Sequence, residues 1–175
     1  MIATATIFFC DISGTLQGRL ENKNEDYERF NNLILKIKEQ NHSDYLFFSL
    51  LSSDNVESVK CQSDNLTKYF SDSISKQKQF FDCGYIYDNK IVTGISGKCD
   101  QMIYYLNELS STYSINKIIL ADDLEFFHEM FNGISESFSW KDKILSIIPT
   151  EKKGLNELND LLVQQLQQNK QYVLK

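Results

Sequence analysis

A set of side chains in this sequence has the types and the order needed to hold a phosphoryl group beside a divalent cation: Asp11, Ser13, Thr15, Ser52, Ser53, Lys98, Asp122 and Asp123. Two carboxylates converging from different segments can share one Mg²⁺, which takes hard oxygen ligands and keeps waters and phosphate oxygens in its remaining positions. A hydroxyl and a lysine ammonium can hold the other phosphate oxygens. A carboxylate pressed against that phosphoryl group can attack it and give an aspartyl-phosphate. Each residue also has a structural reading. Asp11 after an apolar run can be a turn or capping acid, Ser52 and Ser53 can be helix caps, Lys98 can be a solvated lysine with Lys90 or Lys117 in its role, and Asp123 can cap the next helix. Their joint order favours the chemical reading.

Such groups must be delivered by elements that end near one another. Residues 4–10 form an apolar, β-branched and aromatic run suited to a strand buried on both faces, broken by Ser13-Gly14. Tyr27, Phe30, Leu33, Ile34 and Ile37 recur at helical spacing within 25–40, with acids leading and lysines following. A second apolar run at 44–51 is too short for a helix. Ser52-Ser53-Asp54-Asn55 offers N-caps for one or two short helices. Residues 84–87 read as a strand turned by Asp88-Asn89-Lys90 into a hairpin with Ile91-Val92. Gly97 precedes a helix bearing Met102, Ile103, Leu106 and Leu109. Residues 117–121 form a strand ending on Asp122-Asp123, and the helix after it, with Phe127, Met130 and Phe131, is expected to close at Asn132-Gly133. A strand at 144–148 is punctuated by Pro149, the only proline. Leu155, Leu158, Leu162 and Leu166 mark a last helix trailing into a Gln-rich polar tail at about 168–175.

Apolar strands alternating with amphipathic helices predict an α/β fold, a three-layer Rossmann-like sandwich of about five mainly parallel strands with helices on both faces. In such sheets, sites form at the carboxyl ends of strands, where the residues named above fall. Repeats and linkers are absent from the pattern, so residues 1–175 read as one domain. At 175 residues, with 42% apolar and 13% aromatic residues, the chain has the composition of a globular domain with a real core. A net charge of −6 argues against general nucleic-acid binding and suits a metal site or a basic protein partner. Cys10, Cys61, Cys83 and Cys99 lack metal-ligand spacing and read as reduced thiols of a cytoplasmic protein. The apolar segment before Asp11 lacks a preceding basic region and is ended by that acid, so it is expected to be neither a signal peptide nor a membrane span. His42 and His128 have no partner at ligand spacing, and His128 is expected to pack among Phe126, Phe127, Met130 and Phe131. Trp140 takes no role in this reading.

The run Asp11-Ile12-Ser13-Gly14-Thr15-Leu16, a serine at the second strand's end, Gly97-Lys98 opening a helix, and Asp122-Asp123 together resemble the haloacid dehalogenase-like superfamily across residues 4–150. The resemblance implies Asp11 as nucleophile and metal ligand, with the Ser13 carbonyl as a second ligand. It further implies Thr15 of the first motif, Ser52 or Ser53 as the phosphate-binding hydroxyl, Ser52 being preferred because it lies nearer the strand, Lys98 of the third motif, and Asp122 and Asp123 as the acidic metal-binding motif. One departure is chemical. Most phosphatases of that superfamily carry a second Asp where this chain has Ser13. A serine hydroxyl does not titrate near neutral pH, and losing general acid–base help lowers a rate by about 10²–10⁴. P-type ATPases, with Asp-x-Thr-Gly-Thr-Leu, resemble this segment more closely and use a long-lived aspartyl-phosphate. The intervals between the motifs are filled by helices and a strand pair and hold no full cap domain. By resemblance, capless members act on macromolecular substrates or close their site by forming homo-oligomers.

The expectation is therefore a Mg²⁺-dependent phosphohydrolase or phosphotransferase working through Asp11 and slowed by Ser13. Its alternative is a degenerate binding or regulatory protein of the same fold, of inhibitor or immunity type. A phospho-acceptor receiver domain uses similar groups, but its lysine comes last, whereas Lys98 precedes Asp122-Asp123.

Overall fold

The computed structural model describes residues 2–70, 75–76, 78–82, 84–88, 90–94 and 96–173, of which 75–76 and 169–173 are described by their backbone alone. The strands are β1 (Thr4–Asp11), β2 (Tyr45–Leu51), β3 (Ser75–Lys76), β4 (Gln79–Phe81), β5 (Gly84–Tyr87), β6 (Lys90–Thr93), β7 (Ser114–Ala121) and β8 (Ile144–Ile147). The helices are α1 (Asn24–Gln40), α2 (Val56–Leu66), α3 (Lys98–Thr112), α4 (Glu125–Ser135) and α5 (Leu155–Val173). One sheet runs β6-β5-β4-β2-β1-β7-β8, with β3 also paired to β2. Pairing is parallel from β4 to β8 and antiparallel within β4-β5-β6. This is the expected α/β sandwich.

The side-chain period of two sorts the central strands between two cores. From β1, Phe8, Cys10 and Ile12 face α1 and α5, while Ala5, Ile7 and Phe9 face α3 and α4. β7 repeats the division, with Ile119 and Ala121 on the first side and Ile118 and Leu120 on the second. Phe9 packs edge-on against Tyr105 of α3 and Phe131 of α4, tying both site-bearing helices to the central strand. Aromatic pairs of this kind contribute about 0.5–1.5 kcal/mol beyond the area they bury.

Several elements differ from expectation. β3 and β4 were not foreseen: strands of two and three residues carry no readable period, and pairing with β2 defines them. α4 runs through Asn132-Gly133 to Ser135. A mid-helix glycine weakens a helix by about 1 kcal/mol, which burial of Phe127 and Phe131 outweighs. β7 starts at Ser114, where it pairs with Thr4, and a register shift follows between Ala5 and Thr6. α5 carries the helix into the Gln-rich segment as far as Val173. Cys10 and Cys99 are buried free thiols and Cys61 is an exposed one, whereas Cys83, like Asn89 of the hairpin turn, lies outside the described residues. Among the described residues no helix is long and apolar enough to cross a membrane.

Candidate metal and phosphate site

Strand parity places the acids. Asp11 follows Cys10, so it points to the side of Phe9, toward α3 and α4, and Asp122 follows Ala121 and points the same way. Cys10 and Ala121 are partners in the β1–β7 register, so the two carboxylates leave adjacent strand ends. Neighbouring strands lie about 4.8 Å apart. One carboxylate oxygen each from Asp11, Asp122 and Asp123 falls within 4.8 Å of the others.

Each acid is held differently. Thr15, fully buried, donates its hydroxyl to Asp11 Oδ2 at 3.4 Å. The turn after β1 is closed by Gly14 N–H to the Gln17 carbonyl at 2.7 Å and Gln17 N–H to the Ile12 carbonyl at 2.8 Å, and it leaves the Ser13 side chain exposed. Gly14 has φ +86°, and a Cβ there would stand 2.5 Å from Asp123 Oδ2, so the turn and the third carboxylate meet only because residue 14 is glycine. Asp122 Oδ1 accepts the Leu124 N–H at 2.9 Å. It is thus Asp122 that serves the backbone entering α4. Asp123 instead meets Lys152, whose Nζ is 3.4 Å from its Oδ2.

Burial first, and then the Asp122 charge, push the Asp11 carboxyl up from 3.8 to about 8, against the opposing pull of Lys98. Burial also raises Asp122, opposed by its bond from Leu124 and by Lys98. The donors are all hard oxygens, and their ionised forms are disfavoured by burial and by one another, a donor set whose chemistry fits a divalent cation such as Mg²⁺.

The second half of the site comes from β2 and α3. Gln101, buried, donates to the Ser96 carbonyl at 2.9 Å and the Phe81 carbonyl at 3.0 Å, which fixes the entry to α3 and hence Lys98 in its first turn. The Lys98 ammonium lies 4.3 Å above the Phe127 ring and 3.3 Å from Ser53 Oγ, to which it donates. Ser53 is exposed. Ser52 is buried, and its hydroxyl oxygen accepts the Asp54 N–H at 3.1 Å and lies 3.5 Å from Gln62 Oε1. The arrangement therefore gathers three acids beside Thr15, with Lys98 and Ser53 across from them.

Some contributors were not foreseen. Phe127, expected as core, is the platform for Lys98. His128 is buried, as a packing role requires, and its Nε2–H donates to the Asp122 carbonyl at 2.8 Å, bracing the Asp122-Asp123 loop from behind. Lys152 follows β8, a strand whose carboxyl end carries none of the site residues named from the sequence. Compared with models of protein families, with curated proteins and with solved structures, the chain matches none.

Proposed function

We propose that this chain is a Mg²⁺-dependent phosphohydrolase or phosphotransferase in which the Asp11 carboxylate accepts the phosphoryl group. The carrying observation is the convergence of Asp11, Asp122 and Asp123 within 4.8 Å at the ends of two paired strands. Lys98 lies close enough to oppose the upward shifts of both Asp11 and Asp122. Asp11, Asp122 and Asp123 would hold the cation, joined by the Ser13 carbonyl as the resemblance implies. The bound cation would supply the positive charge that keeps Asp11 ionised and neutralises phosphoryl oxygens.

The Thr15 hydroxyl holds the Asp11 carboxylate in one orientation, so its other oxygen can meet phosphorus in line. A bond from that oxygen to phosphorus forms as the bond to the leaving oxygen breaks. Lys98 and Ser53 take the non-bridging oxygens, placing fixed dipoles and charge where negative charge develops. Ser13 is exposed and does not titrate in the working range, so the leaving oxygen takes its proton from solvent. Transfer of the phosphoryl group from Asp11 to water or to an acceptor hydroxyl then completes the cycle, more slowly with water because no carboxylate activates it. As the resemblance implies for a chain without a full cap domain, the substrate class proposed is a phosphorylated macromolecule.

Ser13 favours one other reading, a protein that binds cation and phosphate for recognition by a partner without turnover. Hydrolysis of an aryl phosphate with Mg²⁺, compared between wild type, Asp11→Asn and Ser13→Asp, separates them. Wild-type turnover that Asp11→Asn loses supports the enzyme. Turnover seen only in Ser13→Asp supports the binding protein. A wild type that takes up no Mg²⁺ in a titration removes both.

A further inference from the structure

The loop that follows β8 is fastened on two sides. Glu157 accepts the backbone N–H groups of Thr150, Glu151 and Lys153 at 3.1, 2.8 and 3.2 Å. On the other side the Lys152 carbonyl accepts the Arg19 N–H at 2.8 Å and the Lys153 carbonyl accepts the Leu20 N–H at 3.3 Å. This close pairing requires a glycine at position 18, where any Cβ would run into the Lys152 carbonyl. Lys152 itself is held at φ +55°. Its Cα is thus placed with little freedom, and its side chain reaches toward the acids.

Of the cations around this loop, two are spent locally. Arg19 Nε donates to the Glu151 carbonyl at 3.1 Å, and Lys153 pairs with the Glu151 carboxylate at 2.6 Å. Lys152 alone of the three is aimed at the carboxylate cluster. Its partner Asp123 is 9% exposed while Lys152 is 55% exposed, so the ammonium sits at the mouth and the carboxylate inside it. Among the described residues it is the only cation within ion-pair distance of any of the three acids. Lys98 turns its ammonium to Ser53 and Phe127 instead.

We propose that Lys152 is a tethered counter-ion of this site: it holds Asp123 when no cation is bound, competes with the cation for that carboxylate, and once displaced faces the anionic ligand at the mouth. The inference rests on the reading that the cluster takes a divalent cation. Lys152 is accordingly a positioning residue whose loss moves two affinities in opposite directions, which a purely structural role does not do.

Calorimetric titration of Mg²⁺ into metal-free protein, followed by orthophosphate into the Mg²⁺-loaded protein, tests it with wild type, Lys152→Met and Lys152→Arg. Lys152→Met is expected to bind Mg²⁺ about three- to tenfold more tightly, the scale of a half-exposed ion pair next to a buried acid, and orthophosphate more weakly by a similar factor. Lys152→Arg keeps the charge and is expected to stay close to wild type in both. Unchanged or weaker Mg²⁺ binding in Lys152→Met overturns the competition, and unchanged orthophosphate binding overturns the role at the mouth. A wild type that binds no Mg²⁺ removes the underlying reading and this inference with it, whereas wild-type binding that Lys152→Met merely reproduces removes the inference alone.

Discussion

Asp11, Asp122 and Asp123 stand at the ends of two strands paired from Thr4 to Cys10, whereas Lys98 and Ser53 come from the first turn of a helix and a loop. The two sides also differ in free space. At Gly14, beside the acids, an added Cβ would stand 2.5 Å from a carboxylate oxygen. At Gly97, which opens α3 beside Lys98, it would meet nothing within 4 Å. Asp11 and Lys98 are both buried, but the acids crowd like groups together and their ionised forms are disfavoured, while the lysine is already paired to the exposed Ser53 hydroxyl. The difference teaches where each half spends free energy. On the proposed reading, the acidic half is preorganised for a cation at a stability cost, and the lysine half offers a fixed positive charge to an anionic ligand.

The largest break in this comparison comes from alanine at each glycine. Gly14→Ala forces a Cβ into φ +86° and displaces Asp123, whose carboxylate holds the three heavy atoms nearest to that Cβ. We expect about 1–2 kcal/mol of lost stability from the backbone conformation. Mg²⁺ affinity should fall at least about tenfold, because one ligand is driven out. Gly97→Ala has φ −57° and open space, so both quantities should stay near wild type. Thermal unfolding with and without Mg²⁺ reads both effects. Equal responses of the two variants would show that the halves are not built differently.

A smaller effect, and one that needs no substitution, is the pH dependence of stability. Asp11 has a folded value near 8 and an ordinary value of 3.8, and Asp122 is raised as well. Between those values the folded state keeps protons that the unfolded chain has lost, so stability falls as pH rises. The contribution is fully present below about 3.8 and is lost as pH passes through about 8, with a slope of up to about 1.4 kcal/mol per pH unit for each group. Asp44 works in the opposite sense at more acidic pH, because bonds from the Thr4 backbone and hydroxyl lower it. Metal-free protein should therefore be most stable on the acidic side of neutrality. Mg²⁺ should flatten the decline by replacing the protons, and Asp11→Asn should flatten it without metal. Chemical denaturation at a series of pH values measures this. A metal-free profile that rises from pH 5 to 8 would contradict it.

How much of this was legible from residues alone depends on how local the cause is. The alternation of β-branched and aromatic runs with helical patterns was enough for the α/β sandwich, and reading the polar residues at strand ends was enough to name the three acids that cluster, Asp11, Asp122 and Asp123. Parity along β1 and β7 even decides which face the acids take. The contacts that escaped are those made across the chain. Lys152 reaches Asp123 because Gly18-Arg19 pairs with a loop more than a hundred residues later, and no periodicity reports that pairing. Its type and position were nonetheless readable, since it follows the fifth predicted strand as Asp122 follows the fourth. β3 and β4 are too short to show a period, and the Gly133 stop signal lost to the burial of α4.

The choice between Ser52 and Ser53 is the finest distinction between the halves, and the smallest prediction. Adjacent residues leaving a strand point in opposite directions, so only one of the two can face Lys98. Ser52 is turned inward, where its oxygen accepts the Asp54 N–H and lies beside Gln62. Removing that oxygen leaves the loop donor unsatisfied, and Ser52→Ala should lower stability by about 0.5–1.5 kcal/mol. Ser53 is exposed and shares its hydroxyl with the Lys98 ammonium, so Ser53→Ala should leave stability within about 0.5 kcal/mol of wild type. It should instead weaken orthophosphate binding to Mg²⁺-loaded protein by about threefold, the worth of a single exposed hydrogen bond. Denaturation midpoints and orthophosphate titrations on both variants separate the two roles. If Ser52→Ala is the variant that loses orthophosphate while keeping its stability, the inward hydroxyl must turn toward the ligand and the phosphate side of the site is less fixed than the acidic side by a full side-chain rotation.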